Sequence, residues 1–125
     1  MNKKILIVED DRSESNVLVD KFSQEGFLVS TAENGKKGLE RALADHPDLI
    51  LLDIVMPEMD GITMLNELRK DAWGKDVPVV ILTNLNPDDE IVRQKGPLEF
   101  AYFLIKSNWA LDDVVRAAKK ELGII

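Results

Sequence analysis

With 125 residues, no cysteine and a formal net charge of -7, the chain has room for one core of its own and no means to form disulfides, zinc-thiolate centres or thiol nucleophiles. Hydrophobic residues make up 45% and charged residues 31%, the balance of a folded domain. The acidic excess argues against direct nucleic acid binding, which needs a basic face. No apolar run approaches the roughly 18 residues of a membrane span, and the run after Met1 is too short for a signal sequence; a cytoplasmic location with no membrane contact is the default expectation.

Taken in chain order, short β-branched and leucine-rich runs alternate with amphipathic stretches. Lys4 to Val8 reads as a strand, and about Ser13 to Glu25 as a helix with Val17, Leu18 and Phe22 on one face and Gly26 as its stop. Phe27 to Thr31 is a second strand. Asn34 caps a second helix whose inner face is Leu39, Ala42 and Leu43, closed by His46-Pro47 because the residue before proline resists helical geometry. Asp48 to Asp53 is a third strand, apolar on both faces as in a parallel sheet. Ile62 to Lys70 supplies Leu65 and Leu68 from a third helix, and Val77 to Leu82 is a fourth strand with Pro78 near its start. Asn86-Pro87 opens a fourth helix. Ala101 to Ile105 is a fifth strand, and Ser107 or Asn108 caps a fifth helix with Leu111, Val114, Val115, Ala118 and Leu122 inward. The pattern is (βα)5, an α/β fold occupying residues 1–125 as a single domain. Right-handed crossovers then require a parallel sheet with helices on both faces, a three-layer sandwich.

Four strands end in polar groups of definite type: Glu9-Asp10 after the first, Asp53 ending the third, Thr83 after the fourth and Lys106 after the fifth. Singly, each has an ordinary explanation as a cap, a strand-end hydroxyl or a solvated lysine. Together they fall on one edge, the carboxyl edge where open α/β sheets bind ligands. Clustered carboxylates repel one another unless a cation joins them, and hard oxygen ligands without His or Cys select Mg²⁺. Asp53, delivered by an apolar run that breaks at once into a turn with Pro57 and Gly61, can act as a nucleophile on a phosphoryl group to give an acyl phosphate. Asp10 suits the metal, Lys106 the ammonium and Thr83 the hydroxyl that such a transfer uses.

From Ile5-Leu6-Ile7-Val8-Glu9-Asp10-Asp11 through Leu52-Asp53-Ile54-Val55-Met56-Pro57-Glu58-Met59-Asp60-Gly61 and Val80-Ile81-Leu82-Thr83 to Phe103-Leu104-Ile105-Lys106, the chain resembles the receiver domain of two-component response regulators, most like the stand-alone chemotaxis type. The resemblance implies a flavodoxin-like sheet of order 2-1-3-4-5. It implies that Asp53 accepts a phosphoryl group from a sensor histidine kinase or phosphotransfer protein, with Mg²⁺ held by Asp10 directly, Glu9 through water, Asp53 and the main-chain carbonyl of Val55. Thr83 matches the switch hydroxyl, Lys106 the phosphate-pairing lysine and Phe103 the aromatic switch position. A downstream protein target would be met by the face of the fourth helix, fifth strand and fifth helix. Departures from the family pattern are Ser107 where proline usually follows the lysine, the Lys95-to-Phe100 stretch before the fifth strand, and Asn84-Leu85 after the switch threonine.

Two other readings stay open. A phosphatase with an aspartyl nucleophile, resembling haloacid dehalogenases, would place a second Asp two residues on, where Val55 stands. A receiver that serves only as a constitutive docking module would need no intact acidic, hydroxyl and lysine set. His46 reads as a solvated helix-end residue, and Trp73 and Trp109 as partial core or rim.

Overall fold

A computed structural model describes residues 2–84, 102–106 and 110–125, with the backbone alone of Tyr102, Phe103 and Ile105. Among them are five strands, β1 (Lys4–Val8), β2 (Leu28–Ala32), β3 (Leu49–Leu52), β4 (Val79–Thr83) and β5 (Tyr102–Ile105), and four helices, α1 (Arg12–Gln24), α2 (Gly35–Asp45), α3 (Gly61–Arg69) and α4 (Leu111–Glu121). The strands form one parallel sheet in the order 2-1-3-4-5. The helix predicted to open at Asn86, the Lys95-to-Phe100 stretch, Leu85, Ser107 and Trp109 lie outside the described residues.

β3 is apolar at every position, and β1 and β4 at all but Lys4 and Thr83, because both faces are covered, and alternate residues feed two separate cores. Leu6, Val8, Ile50, Leu52, Val79 and Ile81 pack under Ala42 of α2 and Ile62, Met64, Leu65 and Leu68 of α3. Ile5, Ile7, Leu49, Leu51, Val80 and Leu82 pack under Leu18 and Phe22 of α1 and Val114, Val115 and Ala118 of α4. Ion pairs tie α1 to α4 across the second face, Lys21 to Asp112 at 2.6 Å and Lys119 to Glu25 at 2.7 Å; such exposed pairs add little stability.

Helix ends follow the cap chemistry. Asp11, Asn34 and Asp60 each accept a hydrogen bond from a main-chain N–H three residues on, at 3.1, 2.8 and 2.8 Å. Gly26 takes the left-handed conformation after α1, at φ 95°. The last helix starts later than expected: Ala110, not Ser107 or Asn108, is its N-cap, and the Asp113 carboxylate accepts from the Ala110 N–H at 3.2 Å.

Three residues expected inward are at the surface. Val17 is 49% exposed, Leu43 38% and Leu111 38%. Val17 and Leu43 each neighbour a buried residue, Leu18 and Ala42, and Leu111 is the first residue of its helix. One helical step is 100°, so Ser15, Leu18 and Phe22 own the buried stripe of α1, and Gly35, Gly38 and Ala42 that of α2. Small residues on α2 bring it close to the sheet: a Cβ at Gly38 would stand 2.9 Å from the methyls of Val8. His46, exposed at the left-handed C-cap of α2, is also not simply solvated. Its ring stacks on half-buried Trp73 with centroids 4.3 Å apart and planes 10° from parallel.

Gly61 controls how closely α3 approaches the third strand's end. Its N–H donates to the Ile54 carbonyl at 2.8 Å, and an added Cβ would lie 2.1 Å from the carbonyl oxygen of Asp53. Because that neighbour is backbone, it can yield only by moving Asp53 itself. Gly61→Ala should therefore cost about 1–3 kcal/mol of stability, read by urea denaturation, despite alanine's better helix propensity.

Candidate functional site

Strand register builds the site. Val8 of β1 stands opposite Leu52 of β3 and Ala32 of β2, so the next residues, Glu9 and Asp53, leave the sheet side by side. The Asp53 N–H donates to the Val8 carbonyl at 3.1 Å, and the Glu9 N–H to the Ala32 carbonyl at 3.0 Å. Both carboxylates are buried, with Glu9 5% and Asp53 8% exposed, and Asp10 beside them is open to solvent. One oxygen from each of Glu9, Asp10 and Asp53 lies within 4.8 Å of the others.

Lys106, the residue after β5, reaches back over this cluster. Its Nζ lies 2.6 Å from Glu9 Oε1, 3.1 Å from Asp53 Oδ2 and 3.0 Å from Glu14 Oε1. Asp53 Oδ1 accepts from the Ile54 N–H at 2.7 Å, and Glu9 Oε2 from the Asp11 N–H at 3.0 Å. Thr83 is 1% exposed at the end of β4, where it pairs with Ile105, the residue before Lys106. Val55 stands at the rim, 58% exposed, in a loop that turns through Glu58 at φ 66°. Phe103 lies in register with Ile81 on β5; its side chain is outside the described set.

The electrostatics follow from burial. Desolvation pushes Glu9 up to about 7, against the pull of Lys106 and of the Asp11 N–H and with the push of Asp53. Burial would lower Lys106, but its hydrogen bond to Glu9, the Asp53 charge and its bond to Glu14 outweigh it, and the ammonium is held above its ordinary value. Lys106 thus stays protonated throughout the neutral range.

The structure brings together Glu9, Asp10, Asp53 and Lys106 and sets Thr83 on the same edge. Sequence reasoning missed Glu14. The signal was available: a helix capped by Asp11 directly after the acidic pair points its first turn back over the carboxyl edge, and Glu14 is three residues in.

The response regulator receiver domain family matches residues 5–119 of this chain. The chain belongs to that family. This receiver is 41% identical over 86 residues to the response regulator PleD of Caulobacter vibrioides, covering 69% of the chain and 19% of PleD. It is 39% identical over 109 residues to the alkaline phosphatase synthesis transcriptional regulatory protein PhoP of Bacillus subtilis, covering 79% of the chain and 45% of PhoP. It therefore spans less than half the length of these curated relatives. Among solved structures, the receiver domain of the sensor histidine kinase PA1611 of Pseudomonas aeruginosa, with magnesium coordinated in its active site cleft, superposes with a TM-score of 0.86 at 25% identity, covering 98% of this chain and 99% of that one. The response regulator TrrA of Thermotoga maritima, in complex with Mg(2+)-BeF, gives 0.81 at 28% identity over 95% and 98%. Receiver domains are signalling modules, and the two-component reading of the sequence stands at the level of the family. Among the described residues no helix is long and apolar enough to cross a membrane.

Without divalent metal, Glu9 should make stability fall with rising pH. Its native value near 7 exceeds the ordinary 4.5, so between those values the native state binds more protons than the unfolded chain and loses that advantage as pH rises. In chelator, the drop in denaturation midpoint from pH 5 to 7.5 should be larger for the native sequence than for Glu9→Gln. Equal drops would show that Glu9 is not raised.

Proposed function

We propose that Asp53 is the phosphoacceptor of this receiver, and that residues 1–125 act as one domain that switches a protein-binding surface. The observation that carries this reading is the pairing of two buried carboxylates, Glu9 and Asp53, under a single partly buried ammonium at the carboxyl edge of a parallel sheet. The donor set fits magnesium, since Glu9, Asp10 and Asp53 offer hard oxygen atoms grouped closely enough to share one ion, with no His or Cys among them. Asp10 would hold it directly, Glu9 through water, and Asp53 and the Val55 carbonyl would complete the protein ligands. Bound there, the ion supplies positive charge to the phosphoryl oxygens and offsets the repulsion among the acids.

The chain's own groups do the rest. Ile54 N–H fixes the Asp53 carboxylate through Oδ1. An Asp53 oxygen forms a bond to the donor's phosphorus as the phosphorus–nitrogen bond to the kinase histidine breaks, and the imidazole departs with that electron pair. Asp53 has no proton to surrender, so no general base is needed. Lys106 pairs with a phosphoryl oxygen and keeps its proton, and Thr83 donates its hydroxyl to another. The histidine-bearing donor, a sensor kinase or phosphotransfer protein, would approach along a groove of about 310 Å³ that Val17, Leu111 and Lys106 help to line. The output would pass through Phe103 to a protein target on the fourth-helix, fifth-strand and fifth-helix face. We place the domain in the cytoplasm, in keeping with its lack of cysteine, with no direct nucleic acid contact, in keeping with its charge of -7.

Intact-mass measurement after exposure to acetyl phosphate tests this. One phosphoryl group should appear with Mg²⁺ and not without it. Asp53→Asn should abolish it and Lys106→Gln slow it roughly a hundredfold, the usual cost of losing one charge-stabilising donor. Stoichiometric labelling of Asp53→Asn would refute the assignment.

Magnesium should also stabilise the native state by about 2.7 kcal/mol at a hundred times its Kd, because the unfolded chain has no assembled site. A melting series against Mg²⁺ should show the rise, and Asp10→Asn should lose most of it. An unchanged rise in that variant would remove Asp10 from the ligand set.

A further inference from the structure

We propose that Glu14, on the first turn of α1, is a positioning residue that occupies one of the three Lys106 N–H donors in the unphosphorylated receiver, the donor a phosphoryl oxygen would take. The inference rests on the phosphoacceptor reading of Asp53 and adds a competitor to it.

An ammonium has three N–H donors and no more. Here three carboxylates lie within reach of Lys106 Nζ, those of Glu9, Glu14 and Asp53, at 2.6, 3.0 and 3.1 Å. An incoming phosphoryl oxygen can pair with Lys106 only if one of them lets go. The Glu9 and Asp53 side chains are 4% and 10% exposed, and both belong to the acidic cluster that suits a cation. The Glu14 side chain is 44% exposed, and its release exposes no buried charge. Its backbone role is independent of its carboxylate, because the Glu14 N–H serves the Asp11 cap. Glu14 is therefore the exchangeable arm. Its negative charge also opposes a second anion at Lys106, so contact and charge act in the same direction.

The test compares the native sequence with Glu14→Gln and, as a second variant, Glu14→Ala. Initial rates of labelling by acetyl phosphate at saturating Mg²⁺ and the affinity for beryllofluoride by titration calorimetry are measured. Both variants should label about two- to fivefold faster and bind beryllofluoride tighter by a similar factor, the scale of a half-exposed ion pair. Their melting temperatures should stay close to that of the native chain. In a Lys106→Gln background the Glu14→Gln gain should shrink to less than half on a logarithmic scale. A gain undiminished in that background would show a through-space charge effect and overturn the positioning role. Native labelling with no gain in either Glu14 variant would overturn this inference alone, whereas failure of the native chain to be labelled would overturn it together with the phosphoacceptor reading.

Discussion

Two carboxylates are forced together by β-sheet register, and most of the site is arranged around that fact. Val8 opposes Leu52, so the residues that follow, Glu9 and Asp53, emerge from adjacent strands with their main chains hydrogen-bonded into the sheet. Neither can back away without unpairing a strand end. Burial makes their repulsion worse, since water is not there to screen it. The Glu9 carboxyl responds by holding its proton to about pH 7, and the Lys106 ammonium responds by bridging the pair. The sheet thus stores electrostatic cost at one edge, the condition in which a cation or a phosphoryl group has most to act on.

Rigidity around this pair comes from backbone contacts rather than from side-chain packing alone. Asp60 caps α3 while Gly61 lies against the carbonyl of Asp53, and the Gly35 N–H donates to the Met59 carbonyl at 2.9 Å. A Cβ at Gly35 would meet that same oxygen at 2.2 Å. Two glycines therefore clamp the β3–α3 loop between the starts of α2 and α3. The loop's turn at Glu58, in the left-handed region that non-glycine residues rarely adopt, is held from both sides. The Asp53 carboxylate is fixed in place while its neighbour Val55 remains at the surface.

The sheet, its order and the acidic edge were legible because their signals are local and strong. Four apolar runs each stop at a polar residue, and a parallel sheet puts all those stops on one edge. Helix faces were less legible. Val17 and Leu43 are apolar like the buried Leu18 and Ala42 beside them, and a 100° step decides which residue faces the sheet. That choice depends on where the helix sits, not on its own periodicity. Small residues were undervalued for the same reason: Gly35 and Gly38 define the inner face of α2 precisely where bulk would push it off the sheet. The Asp11 cap places Glu14 at the carboxyl edge, but its contact to Lys106 spans almost the whole chain, and no local pattern names that partner.

Charge counting explains why one lysine has to serve several partners in turn. Once Glu9 has lost its proton, four carboxylates, Glu9, Asp10, Glu14 and Asp53, against Lys106 leave three uncompensated negative charges. A bound divalent cation reduces that to one. On the proposed reading, phosphorylation would replace the single charge of Asp53 with the nearly double charge of an acyl phosphate, raising the deficit again at the point Lys106 faces. Of the carboxylates that contact the ammonium, Glu9 and Asp53 are buried, so the correction falls to Glu14, the half-exposed one. On this reasoning the solvent access of a single side chain on α1 sets how readily Lys106 is handed from the resting site to the phosphorylated one.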